Sequence, residues 1–168
     1  MMHHPIYSTS RGRDYFYLRS LLKPLFDRYN VDLVLEGHDH AYGRAIHIPN
    51  SGSGDKQGAV YVVTHASPKL YDIGFSAKMD KLATNTQMYQ LIDVSNDSIR
   101  YRAYTTDGAL FDGFTIHKDQ TGNRSVTENA PVNSSNFLQP TKSFLRKSSD
   151  SEMKKYNQEM EAWEKSKL

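Results

Sequence analysis

The chain changes rhythm several times. Over residues 13–29, RDYFYLRSLLKPLFDRY, apolar side chains at Tyr15, Leu18, Leu22, Leu25, Phe26 and Tyr29 recur at three- and four-residue steps, which lays them on one helical face. Pro24 interrupts that pattern, and its missing N–H and crowding ring predict a kink or a split last turn. Residues 31–35, VDLVL, then form a short apolar run of the kind found in strands buried on both faces. Turn formers fill residues 49–58, PNSGSGDKQG, a predicted surface loop, and a strand, AVYVVTHA, follows. Residues 67–86 are ambiguous with a helix. MYQLIDVS, SIRYRAYTT and LFDGFTIHK, separated by ND and DG, predict an antiparallel meander of about three strands.

Helix followed by buried strand implies α/β layering over residues 1–118. Residues 119–140 are rich in Asn, Ser and Thr and read as a polar loop or linker. The segment 141–168 ends in a predicted helix, with Glu152 early, lysines late, and Met153, Tyr156, Met160 and Trp163 on one face. Its simplest role is to dock that stripe on the body or on a partner. With 168 residues, one core is the expectation.

Composition narrows the function. The net charge is only +2 and the basic residues are scattered, so nucleic acid is not expected as the main partner. The absence of cysteine excludes disulfides, thiolate metal sites and cysteine nucleophiles. No apolar run approaches the ~20 residues of a membrane-spanning helix, and MMHHPIYSTS lacks the features of a signal peptide. A histidine pair and a proline arrive with no element before them, so the chain reads as the downstream part of something longer.

Histidine carries the candidate chemistry. His47 and His117 read as ordinary solvated side chains, while His65 stands where a strand leaves its sheet and can face a cleft. His38 and His40 follow a buried strand and Gly37, which suits a tight turn. They stand beyond the strand's carboxyl end, where open α/β sheets place ligands. Asp39 could orient an imidazole by its outer nitrogen. His3 and His4 precede Pro5, and a strand, crossover helix and neighbouring strand would bring His3 beside His38. Two histidines around an aspartate also occur on plain loops, so spacing alone leaves metal binding and a solvated loop both open.

EGHDHAYGR together with the upstream HHPIYS resembles the last two metal-ligand blocks of the calcineurin-like metallophosphoesterases, in particular the purple acid phosphatase branch. The resemblance covers residues 1 to about 118 and implies the downstream half of a metallophosphoesterase β-sandwich with flanking helices, plus a C-terminal helix. It implies that His3 and His38 hold one metal and His40 its neighbour. His4, Asp39, Tyr42, Arg44 and His65 are then second-layer or cleft candidates. It further implies a dinuclear Fe, Zn or Mn centre, a phosphoester substrate and a location outside the cytoplasm. The family's aspartate, GD and GNH blocks are absent from these residues. No catalytic residue is therefore assigned within the chain, and as it stands it is expected to be inactive or impaired. An inactive remnant or interaction module keeping a partial metal site is the alternative. A closed structural zinc site lacks a nameable fourth ligand. Half a sandwich would also leave a sheet edge open, which predicts self-association.

Overall fold

The computed structural model describes residues 1–46, 48–50, 57–131 and 139–167. His47 and most of the predicted 49–58 loop lie outside the described residues, as does part of the predicted 119–140 linker. The elements run α1 (Phe16–Arg28), β1 (Leu33–Glu36), β2 (Tyr42–Ala45), β3 (Val60–Val63), β4 (Lys81–Ala83), β5 (Met88–Val94), β6 (Ser98–Thr105), β7 (Leu110–Lys118), β8 (Arg124–Glu128), α2 (Lys142–Lys147) and α3 (Asp150–Lys165). Among the described residues they build a mixed α/β fold of three helices and two four-stranded sheets.

The first sheet has the order β1-β3-β2-β4, with β1 and β3 parallel and the other pairs antiparallel. The second is the antiparallel meander β5-β6-β7-β8. Side-chain alternation decides how the layers stack. On β3, Tyr61 joins Val34, Ala45, Leu82 and the helices, whereas Val60 and Val62 join Tyr101, Phe114 and Ile116 of the meander. Helices thus cover one face of the first sheet and the second sheet covers the other. All four β3 residues are buried, the signature of a central strand.

Several elements differ from the sequence expectation. β1 alternates between half-buried and buried positions instead of being buried on both faces, because it lies at the rim of its sheet. AYGR, read only as a motif, contributes β2. The helix-ambiguous stretch yields β4, and the polar linker yields β8 as a fourth meander strand. In α1 the core-facing residues are Leu18, Leu22 and Phe26, while Leu25 and Tyr29 are 47% and 71% exposed. The helix runs on through Pro24 to Arg28. Leu22 and Phe26 grip the core on either side of the proline, and Lys23 donates to Asp27 across it at 2.6 Å. At the other end, Ser149 and Glu152 form a capping box for α3, and Tyr156 and Trp163 bury its stripe, with Trp163 Nε1 donating to the Ser76 carbonyl at 3.1 Å.

One polar group crosses the buried layer between the sheets. Tyr42 Oη and Arg44 Nε both donate to Asp112 Oδ2 at 2.7 Å, and Arg44 Nη2 donates to Glu128 at 2.8 Å. Tyr42, Arg44 and Asp112 are essentially inaccessible, and Tyr42 and Arg44, read as second-layer or cleft positions, point into the sandwich. Burial resists charging Arg44, but Asp112, Tyr42 and Glu128 together outweigh it and hold the guanidinium protonated. Removing one partner of such a pair leaves a buried charge uncompensated. Asp112→Ala is therefore expected to destabilise the chain by about 3 kcal/mol or more in urea unfolding, with the double variant Arg44→Met/Asp112→Leu recovering much of that loss.

Among the described residues, the outer edge of β1 carries a single parallel bridge, Met2 to Glu36. Beside it lies a cavity of about 590 Å³ lined by Met1, Met2, Leu35, Gln90 and Ile92, among others. An edge strand with apolar flanks invites strand pairing. Size-exclusion chromatography over a concentration series is expected to show self-association, and a constant monomer position would contradict it.

Candidate metal centre at the strand tips

The N-terminal segment is held against β1 by its backbone. Met2 N donates to the Leu35 carbonyl at 2.9 Å, and Gly37 N donates to the His3 carbonyl at 3.1 Å. The predicted strand beside β1 is thus reduced to one bridge, yet it delivers His3 to the strand tip. Two acidic side chains anchor the residues that come next along the chain. Glu36 Oε1 accepts from Ile6 N at 2.9 Å. Asp39 Oδ2 accepts from Ser8 Oγ, Thr9 N, Ser10 N and Thr9 Oγ1 at 2.6–3.3 Å, while its Oδ1 accepts from Arg13 at 3.2 Å. Asp39 is fully buried. Its described bonds thus go to the 8–13 segment instead of the imidazole the sequence suggested.

The turn itself differs from expectation. Gly37 lies outside the left-handed region, and a Cβ there would meet only ordinary contacts. The left-handed residue is His38, at φ 66°, a conformation that disfavours side chains by about 1–2 kcal/mol. Locally stored strain of this kind concentrates at functional sites.

The result is a cluster of imidazoles. His38 Nδ1 lies 3.0 Å from His3 Nε2. The His4 ring centre is 4.2 Å from that of His38 and 4.9 Å from that of His3. One nitrogen from each of the three lies within 4.8 Å of the others. Tyr15 walls the cluster, 5.6 Å from the His4 ring. His40 turns elsewhere: its Nδ1 meets the Lys69 carbonyl at 2.9 Å, and its ring packs against Tyr71 and His65 at 4.7 and 5.6 Å. His3, His4 and His38 are therefore brought together, and His40 with His65 forms a neighbouring pair.

Electrostatics disfavours a charge on two of the rings. Partial burial lowers the His38 pKa, and repulsion from His4, Arg13 and His3 adds to the effect against a smaller opposing pull from Asp39. Burial, then His40, lowers that of His65. Neutral imidazoles are the form that binds metal, and three nitrogen donors fit one borderline cation such as zinc. They do not offset two adjacent dications, whose repulsion calls for carboxylates.

Sequence reasoning missed Glu36 and Arg13. The only signal was an acidic residue ending an apolar run, and a basic one following STSR. Burial pushes the Glu36 carboxyl from 4.5 up to about 8, with the Ile6 N–H pulling the other way. Arg13 bonds to Asp39 and lies over the Tyr71 ring at 4.9 Å, which brings positive charge to the same end of the sheet.

The site thus sits at the strand tips of a mixed α/β sandwich, and comparison with known proteins points the same way. No family model matches the chain. A purple acid phosphatase of Glycine max is 33% identical over 91 residues, which covers 51% of this chain and 19% of that protein. The chain spans less than a fifth of that relative's length, and the match points to a metallophosphoesterase-like relationship.

A raised carboxyl pKa makes stability depend on pH. Glu36 keeps its proton in the folded chain up to about pH 8 but loses it near 4.5 when unfolded. Its contribution is then complete below 4.5 and declines as pH rises through 8. Urea unfolding in EDTA is expected to show the chain losing stability between about pH 5 and 8, and Glu36→Gln flattening that slope.

Proposed function

We propose that this strand tip belongs to a metal-dependent phosphoester hydrolase of the purple acid phosphatase kind. His3 and His38 hold one cation and His40 holds its neighbour. The dinuclear Fe, Zn or Mn centre is completed by carboxylate and asparagine ligands from aspartate, GD and GNH blocks that these 168 residues do not contain. The observation that carries the reading is the 3.0 Å approach of His38 Nδ1 to His3 Nε2 from segments 35 residues apart. The partial match to a phosphatase supports it.

When bound, the metals supply an acidified water and a clamp on the attacking and leaving oxygens. The chain's own residues hold and orient. Gly37 N and Glu36 fix the His3 segment, the left-handed turn aims His38, and the Lys69 carbonyl sets the His40 ring. Arg13, anchored by Asp39, offers its guanidinium to an anionic phosphate ester.

One observation favours a second reading, a catalytically inactive module with a partial metal site. The His3–His4–His38 group contains no carboxylate, and both nearby acids, Glu36 and Asp39, hold the N-terminal segment. The two readings separate in one experiment. A longer chain that includes upstream aspartate, GD and GNH blocks is expected to hydrolyse p-nitrophenyl phosphate only with metal present. His38→Ala is expected to lower that turnover by about 100-fold or more. Turnover unaffected by His38→Ala contradicts the hydrolase, and an inert extended chain that still binds metal supports the module.

A further inference from the structure

We infer that His4 is a metal ligand in this chain, so that His3, His4 and His38 form a mononuclear three-imidazole site with one coordination position left to solvent. The inference shares with the proposed function the premise that a cation sits at this strand tip, and it needs no hydrolysis. It assigns His4 a place that the family pattern does not, and it leaves His40 outside the site.

The backbone argues for it. His4 lies between two fixed points, the His3 carbonyl bonded to Gly37 N at 3.1 Å and Ile6 N bonded to the buried Glu36 at 2.9 Å. Pro5, itself buried, stiffens the span between them. The His4 ring, though exposed, consequently lies over the His38 ring at 4.2 Å. His38 adopts its left-handed backbone at the same place.

The dimensions suit an ion. Tetrahedral zinc with nitrogen ligands at 2.0–2.1 Å needs its donors about 3.3 Å apart. The His3 and His38 nitrogens, at 3.0 Å, need only a slight opening. The widest separation within the group, at most 4.8 Å, closes by rotation of the exposed His3 and His4 side chains. Three rings from one segment and one turn approach from different directions: His3 stands nearly perpendicular to both others, at 75° and 84°. Such a set resembles one face of a tetrahedron with an open fourth position, the geometry of exchangeable zinc sites.

The donor chemistry selects the metal. Three imidazoles without a carboxylate favour zinc, cobalt, nickel or copper and discriminate against magnesium and calcium, which need oxygen. With no anionic ligand the bound dication keeps its charge. The open position therefore favours an anion such as inorganic phosphate over water alone.

The 168-residue chain itself tests this. Calorimetry with zinc chloride is expected to give one ion per chain, and cobalt chloride a visible absorption band of four-coordinate intensity. Substituting His4, His3 or His38 by Ala is expected to weaken zinc binding by about tenfold or more, since groups that only orient a ligand are already worth about 10- to 100-fold. His117→Ala is expected to leave affinity and stoichiometry unchanged, with circular dichroism verifying that each variant folds. Wild-type affinity in a folded His4→Ala, while His3→Ala and His38→Ala abolish binding, overturns the role of His4 and leaves the hydrolase reading standing. Loss of binding in His40→Ala equally overturns the three-imidazole site. No binding in the wild type overturns that site, while the hydrolase reading, whose centre needs further ligands, stands or falls by the turnover of the longer chain.

Discussion

A single buried carboxylate organises the end of the sheet where the histidines gather. Asp39 accepts five hydrogen bonds, from Ser8, Thr9, Ser10 and Arg13. Each belongs to the stretch between the N-terminal histidines and α1. The same residue sits between His38 and His40 in the turn after β1. Its two roles are inseparable: to satisfy a buried negative charge, the chain must bring these two stretches together. The Glu36 carboxyl, at the end of β1, adds a bond from Ile6 N. The imidazoles are therefore positioned by groups that take no part in metal chemistry. Loop-borne ligands acquire definite places when supporting hydrogen bonds lock them in this way.

The wider fold holds that end in place through a second buried ionic group. Arg44 and Tyr42 leave the histidine turn and enter the space between the sheets, where Asp112 from the meander meets both. A charge in that position contributes less to stability than apolar packing would, but it fixes which residues of the two sheets face each other. Apolar contacts around it, among them Tyr101 on Phe114 at 4.8 Å, supply the bulk of the burial. The histidine motif and the sandwich core are thus joined through consecutive residues of one segment. Displacing the meander would disturb the strand tip.

Much of this was readable from the residues. The period of the α1 stripe, the apolar run of β3, the DG and ND turns and the stripe of α3 each predicted an element that the fold contains. The misses share a cause. Leu25 and Tyr29 carry the right period and yet face solvent, because period specifies a face and not how widely a neighbour covers it. β2 and β4 were hidden since short strands containing glycine, arginine and lysine lack alternation. Gly43 has no side chain because a Cβ there would fall 2.0 Å from Thr9 Cγ2. That is a constraint from a segment 34 positions earlier. β8 is polar because it is the outer strand of its sheet, with alternate residues in water.

The sequence by itself determined the chemistry on offer: histidines before a proline and after a buried strand, no thiolate, and no aspartate, GD or GNH block. These follow from residue type and local order, which need no partner. The tertiary structure alone decided which histidines meet. It joined His4 to His3 and His38, turned His40 toward His65 and Tyr71, and committed Asp39 to the backbone of the N-terminal segment. Such outcomes depend on pairings across 25 residues or more, and those of Asp39 and Glu36 are selected by the demand that every buried polar group find a partner. Local sequence carries no record of that demand until the chain has folded.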